Sequence, residues 1–215
     1  DQSLRDTIRQ LGPNTIFVAK FSGISLAAGR DFAELARRPD LTVDDAKAIE
    51  KLAPSVGLVD SWLGGMQEVQ ERVFYDGQQT KLLTVVGASE KFADINFIKT
   101  ELGRVFTEAE VSRRRRVVML GHTAYQAVFE PSGIDPIGKQ IRVGAIEYTV
   151  VGVLGQRPTA GGFNLGQDDF VLVPLTTHAA LYGTRTARER RGISMGSSAM
   201  IAVVPREGAT RDQAL

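Results

Sequence analysis

The run from Asp135 to Leu154 (DPIGKQIRVGAIEYTVVGVL) constrains the fold of this chain more than any other stretch. Pro136 fixes φ and Gly138 permits a left-handed turn, so the backbone reverses just before Gln140. Ile141 and Val143 alternate with polar neighbours, Gly144 makes a bend, and Tyr148 to Leu154 reads as a buried strand. The segment holds no nucleophile, metal cluster or phosphate loop. Its character is architectural, which argues against an enzyme.

At 215 residues the chain suffices for one large domain or two small ones. Its 26 Lys and Arg balance 25 Asp and Glu, and a net charge of +1 gives no overall attraction to nucleic acid or an anionic membrane. Cysteine is absent, which excludes a disulfide framework and a cysteine metal site and fits a cytosolic, periplasmic or extracellular location equally. No run approaches the roughly 20 apolar residues needed to span a bilayer. The opening residues, Asp1 to Arg5, do not read as a signal peptide. Leu4, Ile8 and Leu11 share one helix face, closed by Gly12 and Pro13, and a second helix opens at Glu207 and runs about one turn. Both ends are expected to be cuts within a longer protein.

Between them, Asn14 to Phe21 is a strand of β-branched and aromatic residues. Ser22 to Asp40 reads mainly as a loop, with a helical turn around Phe32 to Ala36. Leu41 to Ala53 is the clearest helix, with Thr42 as N-cap, Asp45 at the third position, and Ala46, Ile49 and Leu52 as its buried stripe. Strands follow at Val56 to Gln67, Glu68 to Tyr75 and Lys81 to Ala88, the last two joined by an Asp76-Gly77 hairpin turn. Sequence-adjacent strands of this kind predict an α+β layered domain.

The next block contains apolar Phe92 to Ile98, a helix start at Thr107 to Glu110, four arginines (Arg113 to Arg116), a buried strand at Val117 to Leu120, and a helix from Gly121 to Phe129 capped near His122 or Thr123. After the hairpin come a Gly-rich loop (Pro158 to Gln167), a strand (Phe170 to Pro174), a helix (Thr176 to Tyr182) and a loose segment (Gly183 to Ser197). The strand Ser198 to Pro205 has no partner in the preceding block and is expected to return to the first sheet. Residues 89–197 then form an insertion between 1–88 and 198–215.

Candidate chemistry is sparse. His122 and His178 have no second ligand at metal spacing. Asp44-Asp45, Asp168-Asp169 and Glu108/Glu110 are paired carboxylates beside element starts, where helix-dipole complementation or solvated charge accounts for them. Gly161 to Gly166 lacks the lysine and hydroxyl of a phosphate loop, and Ser194 to Ser198 lacks a nucleophile elbow. No catalytic, cofactor-binding or metal-binding residue is named on this basis. The arginines at 113–116, 185, 188, 190 and 191 read as solvated loop charge, partly offset by Glu108, Glu110 and Glu189. Their functional reading is contact with an acidic partner or lipid headgroups; no interleaved aromatics point to nucleic acid.

Seven segments occur in order along nearly the whole chain: LGPNTIFV (Leu11 to Val18), LTVDDAKAI (Leu41 to Ile49), TVVGAS (Thr84 to Ser89), GRVFTEAE (Gly103 to Glu110), VVMLG (Val117 to Gly121), DPIGK (Asp135 to Lys139) and VVGVL (Val150 to Leu154). In this order and spacing they resemble the periplasmic core domain of MacB-type ABC transporter permeases, the group that includes lipoprotein-release and FtsX-like permeases. The resemblance implies a porter-like layered α/β subdomain carrying an inserted small α/β (Sabre-like) subdomain. It places the chain on the periplasmic side of the inner membrane, between the first two membrane helices of a multi-pass protein. It implies three partners: a second permease copy in a dimer, a cytoplasmic ATPase domain or subunit, and a periplasmic adaptor of the membrane-fusion type. The chain itself would not span the membrane.

The function implied is non-catalytic: coupling cytoplasmic ATP hydrolysis to periplasmic movement and partner engagement in efflux, with no cofactor. The Ser22 to Asp40 and Gly161 to Gly166 loops are the expected partner contacts. The alternative is a ligand-binding or sensor module that captures peptide or lipid between the subdomains.

Overall fold

Four apolar runs become the centre of one sheet because each is buried on both faces. The computed structural model describes residues 15–20, 38–64, 69–96, 98–157, 168–182, 198–206, 208–209 and 214. Strands β6 (Leu83–Ala88), β8 (Val117–Leu120), β10 (Ile146–Leu154) and β11 (Phe170–Pro174) lie side by side in the order β6-β11-β8-β10. β6 and β11 are parallel, as are β8 and β10, while β11 and β8 are antiparallel. Alternate side chains feed two cores: Val117, Met119, Phe170 and Leu172 on one face, and Val118, Leu120, Val171 and Val173 on the other. Such doubly covered strands read in sequence as unbroken apolar runs.

The sheet widens to nine strands. β3 (Gln70–Glu71) joins at β6, and β9 (Gln140–Val143), β4 (Val73–Tyr75) and β5 (Gln78–Gln79) extend it beyond β10. β7 (Thr100–Gly103) pairs with the second half of β10, β9 with its first half. The expected Asp76-Gly77 turn is present, with both residues at positive φ (46° and 77°), but it joins β4 to β5 rather than to the strand Leu83–Ala88, which pairs with β3 instead.

The second sheet has three strands in the order β1-β12-β2: β1 (Ile16–Val18), β12 (Met200–Pro205) and β2 (Val56–Trp62), all antiparallel. β12 therefore sits between the two earliest strands. β3 to β6, expected with β1 and β2, lie instead in the nine-stranded sheet. The reason is non-local: β6 finds its parallel partner in β11, across five register pairs from Phe170↔Thr84 to Pro174↔Ala88.

Helix α1 (Val43–Leu52) covers one face of the small sheet. Thr42 and Asp45 form its capping box, the Thr42 hydroxyl accepting from the Asp45 N–H at 3.2 Å and Asp45 accepting from the Thr42 N–H at 2.7 Å. Ala46 and Ile49 pack on Ile16, Val59, Ile201 and Val203, whereas Leu52, expected in the same stripe, projects past that contact and is 75% exposed. Short helices α2 (Phe92–Ile95) and α3 (Glu108–Ser112) follow β6 and β7; α4 (His122–Val128), with Gly121 rather than His122 or Thr123 as N-cap, covers the other face of the large sheet; α5 (Leu175–Tyr182) follows β11. The expected segments at Leu4–Leu11, Phe32–Ala36, Gly161–Gly166 and Gly183–Ser197 lie outside the described residues, as does most of the helix expected from Glu207.

Candidate functional site: the junction between the sheets

β2 leaves the small sheet at Trp62, and the next residue, Leu63, exchanges two backbone hydrogen bonds with Gly87 of β6, at 2.8 and 3.0 Å. Residue size sets what surrounds this bridge. His178, in the first turn of α5, lies over Gly87, where an added Cβ would come within 2.5 Å of the His178 Cβ. The glycine of the first Val-Val-Gly is thus a seat for an imidazole. The ring is 3% exposed and neither nitrogen has a hydrogen-bond partner in good geometry. Burial pushes its pKa down to about 4, against a smaller upward pull from the Val85 backbone, so it is neutral near pH 7. Tyr182 packs against it with ring centroids 5.0 Å apart.

On the other side of the bridge Trp62 meets Phe92 edge-on at 5.6 Å and Phe17 at 6.1 Å, which ties β1 and β2 to α2. Asp60 of β2 is 4% exposed, and one of its oxygens accepts from the Ser61 N–H at 2.8 Å. Burial raises its pKa, opposed by the Ser89 hydroxyl and the Ser61 N–H. Lys91 reaches Glu50 of α1 at 3.3 Å. The junction is therefore filled by aromatic rings and two buried titratable groups. Asp60 and Trp62 were not singled out from sequence; the signal was a carboxylate inside the apolar strand VGLVDSW.

The other sequence candidates are dispersed, and most already have partners. His122 Nδ1 lies 3.6 Å from Glu101 Oε2, a loose approach, far from His178 in the chain. Asp44 pairs with Lys47 at 2.9 Å and Asp45 caps α1. Asp169 pairs with Lys81 at 2.6 Å, and Asp168, 2% exposed, holds Arg157 at 3.0 Å while Arg157 also stacks over Phe170. That pair joins the chain on either side of residues 158–167. Lys20 and Asp40, 2.7 Å apart, do the same on either side of 21–39. No group of three or more His, Asp and Glu residues placed to hold a metal occurs among the described residues.

The GRVFTEAE segment is a compact fastening. Phe106 is buried in the large core, Thr107 and Glu110 form the capping box of α3, and both Glu110 oxygens hold the Arg104 guanidinium at 2.8 and 2.9 Å. The Arg104 fork, with the Thr107 bonds, holds the Glu110 carboxyl down at about 2. Opposite it, Gly152 of the second Val-Val-Gly admits the Arg104 carbonyl, which an added Cβ would meet at 2.4 Å.

The description "MacB-like periplasmic core domain" matches residues 1–215. The chain belongs to that family. Relatives of this MacB-like domain include the macrolide export ATP-binding/permease protein MacB of Chlorobaculum tepidum, 27% identical over 175 residues (81% of the chain, 25% of the relative). Another is that of Neisseria meningitidis serogroup A, 29% identical over 167 residues (75% and 23%). The MacB-like domain spans about a quarter of the length of these curated relatives. Among solved structures, the periplasmic region of MacB from Actinobacillus actinomycetemcomitans superimposes with a TM-score of 0.67 at 20% identity, over 97% of this chain and 81% of that one. The extracellular domain of the Gram-positive noncanonic ABC-type transporter YknZ gives 0.60 at 18%, over 91% and 85%. These likenesses establish the mixed α+β fold with two sheets.

Proposed function

We propose that this MacB-like domain is a non-catalytic transmission element of an ABC efflux permease. It stands on the periplasmic face of the inner membrane and works in a dimer with a second copy. It couples ATP hydrolysis by a cytoplasmic domain or subunit to movement that engages a periplasmic adaptor. One observation carries this reading. Ile16 lies opposite Val203, so the chain enters β1 and leaves β12 at the same end of the small sheet, side by side. A displacement at either connection loads β12, the central strand, and passes through β2 and the Leu63–Gly87 bridge into the large sheet.

On this reading the porter-like subdomain comprises β1, α1, β2 and β12, and the Sabre-like insertion takes the strands from β3 to β11. The insertion is then entered near Leu63 rather than near Ser89. The Lys20–Asp40 and Arg157–Asp168 pairs fix the ends of two segments that would meet partners. The sensor alternative is less favoured, because Trp62, Phe92 and His178 fill the junction. A groove of about 850 Å³ lies instead at the far edge of the large sheet, lined by Phe74, Gln79, Arg142 and Glu147 among others.

The test is a spin-label distance between the two copies of the full-length dimer, with labels at exposed Lys51 of α1. The distance is expected to change when ATP binds. An unchanged distance through the ATP cycle, in a transporter that still exports, would overturn the transmission role.

A further inference from the structure

Arg113 to Arg116 form the motif that the transmission reading leaves unused, and the fold removes the simplest explanation for it. In sequence, Glu108 and Glu110 stand close enough to offset the charge. In the structure Glu110 is committed to Arg104 and to the Thr107 cap. None of the four guanidiniums reaches a carboxylate among the described residues, and all four arginines are exposed.

The turn that carries them is held from several sides. The Arg115 N–H donates to the Glu110 carbonyl at 3.0 Å and the Thr149 N–H to the Arg116 carbonyl at 2.9 Å. The Thr177 hydroxyl donates to the Arg115 carbonyl at 2.9 Å, and Thr176 donates to that of Val111. Arg114 sits at φ 53°, a left-handed conformation uncommon outside glycine. The backbone is thus fastened to β10 and α5 while all four side chains are exposed to solvent.

We infer that Arg113 to Arg116 form a docking surface for an acidic face of a partner protein outside the membrane. A backbone already held in one shape leaves only side chains to order on binding. Four separate positive charges suit carboxylates spread over a surface. Resting on the reading above, the membrane is the less favoured anionic surface. The chain enters and leaves the small sheet at the Val56 end of β2, whereas the large sheet joins at the Trp62 end. Those ends are about 20 Å apart along the strand, well beyond the Debye length of about 8 Å at physiological salt.

The test places a photo-crosslinking benzoylphenylalanine at exposed Ser112 of the full-length protein in its own membrane. The expected product is a crosslink to a polypeptide whose contacted stretch has an excess of Asp and Glu. Its yield should fall about tenfold when all four arginines become Gln and persist when all four become Lys. The urea midpoint of the Gln variant should match that of the parent, since the side chains are exposed. A crosslink to lipid, to a neutral or basic stretch or to nothing would overturn the docking surface, as would a yield indifferent to the Gln substitutions. Because the readout is a crosslink and not export, an acidic contact alongside an unchanged Lys51 distance would sink the transmission role and leave this surface standing.

Discussion

The buried imidazole at the junction makes a quantitative prediction about pH. In the unfolded chain His178 titrates near 6.5; in the fold burial brings it to about 4. Between those values the unfolded chain holds a proton that the folded one excludes, so acid draws the equilibrium toward unfolding. The contribution is whole above pH 6.5 and is lost as pH falls from 6.5 to 4. Its size is on the order of 3 kcal/mol, at about 1.36 kcal/mol for each tenfold change in proton affinity. That is a large share of the 5–15 kcal/mol typical of a domain, roughly speaking.

The chain carries its own reporter, because its one tryptophan, Trp62, is 8% exposed and packed in the junction. Urea unfolding followed by Trp62 fluorescence at about pH 7.5 and about pH 4.5 should be compared between the parent and His178→Leu, which removes the titration and keeps an apolar filling. Relative to the parent, the Leu variant should gain most of that 3 kcal/mol on acidification. Asp60, whose raised pKa acts with the opposite sign in acid, is common to both proteins and cancels in the comparison. Parallel stability curves for the two proteins across this range would refute the account of His178 as a proton-excluding group.

Three further outcomes are expected. Gly152→Ala should cost about 2 kcal/mol or more in urea unfolding, because the added methyl meets the Arg104 carbonyl at 2.4 Å; a loss below about 0.5 kcal/mol would show that β7 yields freely. Glu110→Gln should cost about 1 kcal/mol near pH 7, discounted for the half-exposed Arg104. That cost should vanish as pH falls from 4.5 to about 2, since the carboxylate's contribution is lost on protonation. Asp168→Asn leaves Arg157 facing a neutral group in a site where the carboxylate was 2% exposed. It should cost about 2–3 kcal/mol and raise protease cleavage between Arg157 and Asp168; unchanged cleavage would mean the pair does not fasten that segment.

Local chemistry was legible where a few neighbouring residues decide it. Thr42 with Asp45, the Asp76-Gly77 turn and the apolar runs at Val117–Leu120 and Phe170–Pro174 all appear as the sequence implies. The ordered segments pointed to the family before any contact was known. Partnership between distant strands was not legible. The apolar run in Lys81–Ala88 says that a strand forms but not that Phe170–Pro174 pairs with it, and that pairing is what puts β6 in the nine-stranded sheet. A two-residue strand such as Gln78–Gln79 carries too little pattern to be seen at all. His178 was visible as a histidine, but its burial depends on Gly64 and Gly87, more than ninety residues earlier.

The two Val-Val-Gly tripeptides show why a motif can be diagnostic without being chemical. Residues 85–87 and 150–152 share the glycine for different neighbours: Gly87 gives way to an imidazole, and Gly152 to a carbonyl of the strand-to-helix turn after β7. In both cases a side chain is omitted so that another element can approach the backbone. Gly87 lies at the only described bridge between the two sheets, and Gly152 lies under the Arg104–Glu110 fastening that leads directly into the arginine turn. Close packing at these two points favours transmitting a displacement over absorbing it, because packed interfaces move between discrete arrangements and do not deform continuously. On the proposed transmission reading, caps, clamps and close approaches are the parts that would carry force, and the exposed arginine turn is where a receiving partner would dock.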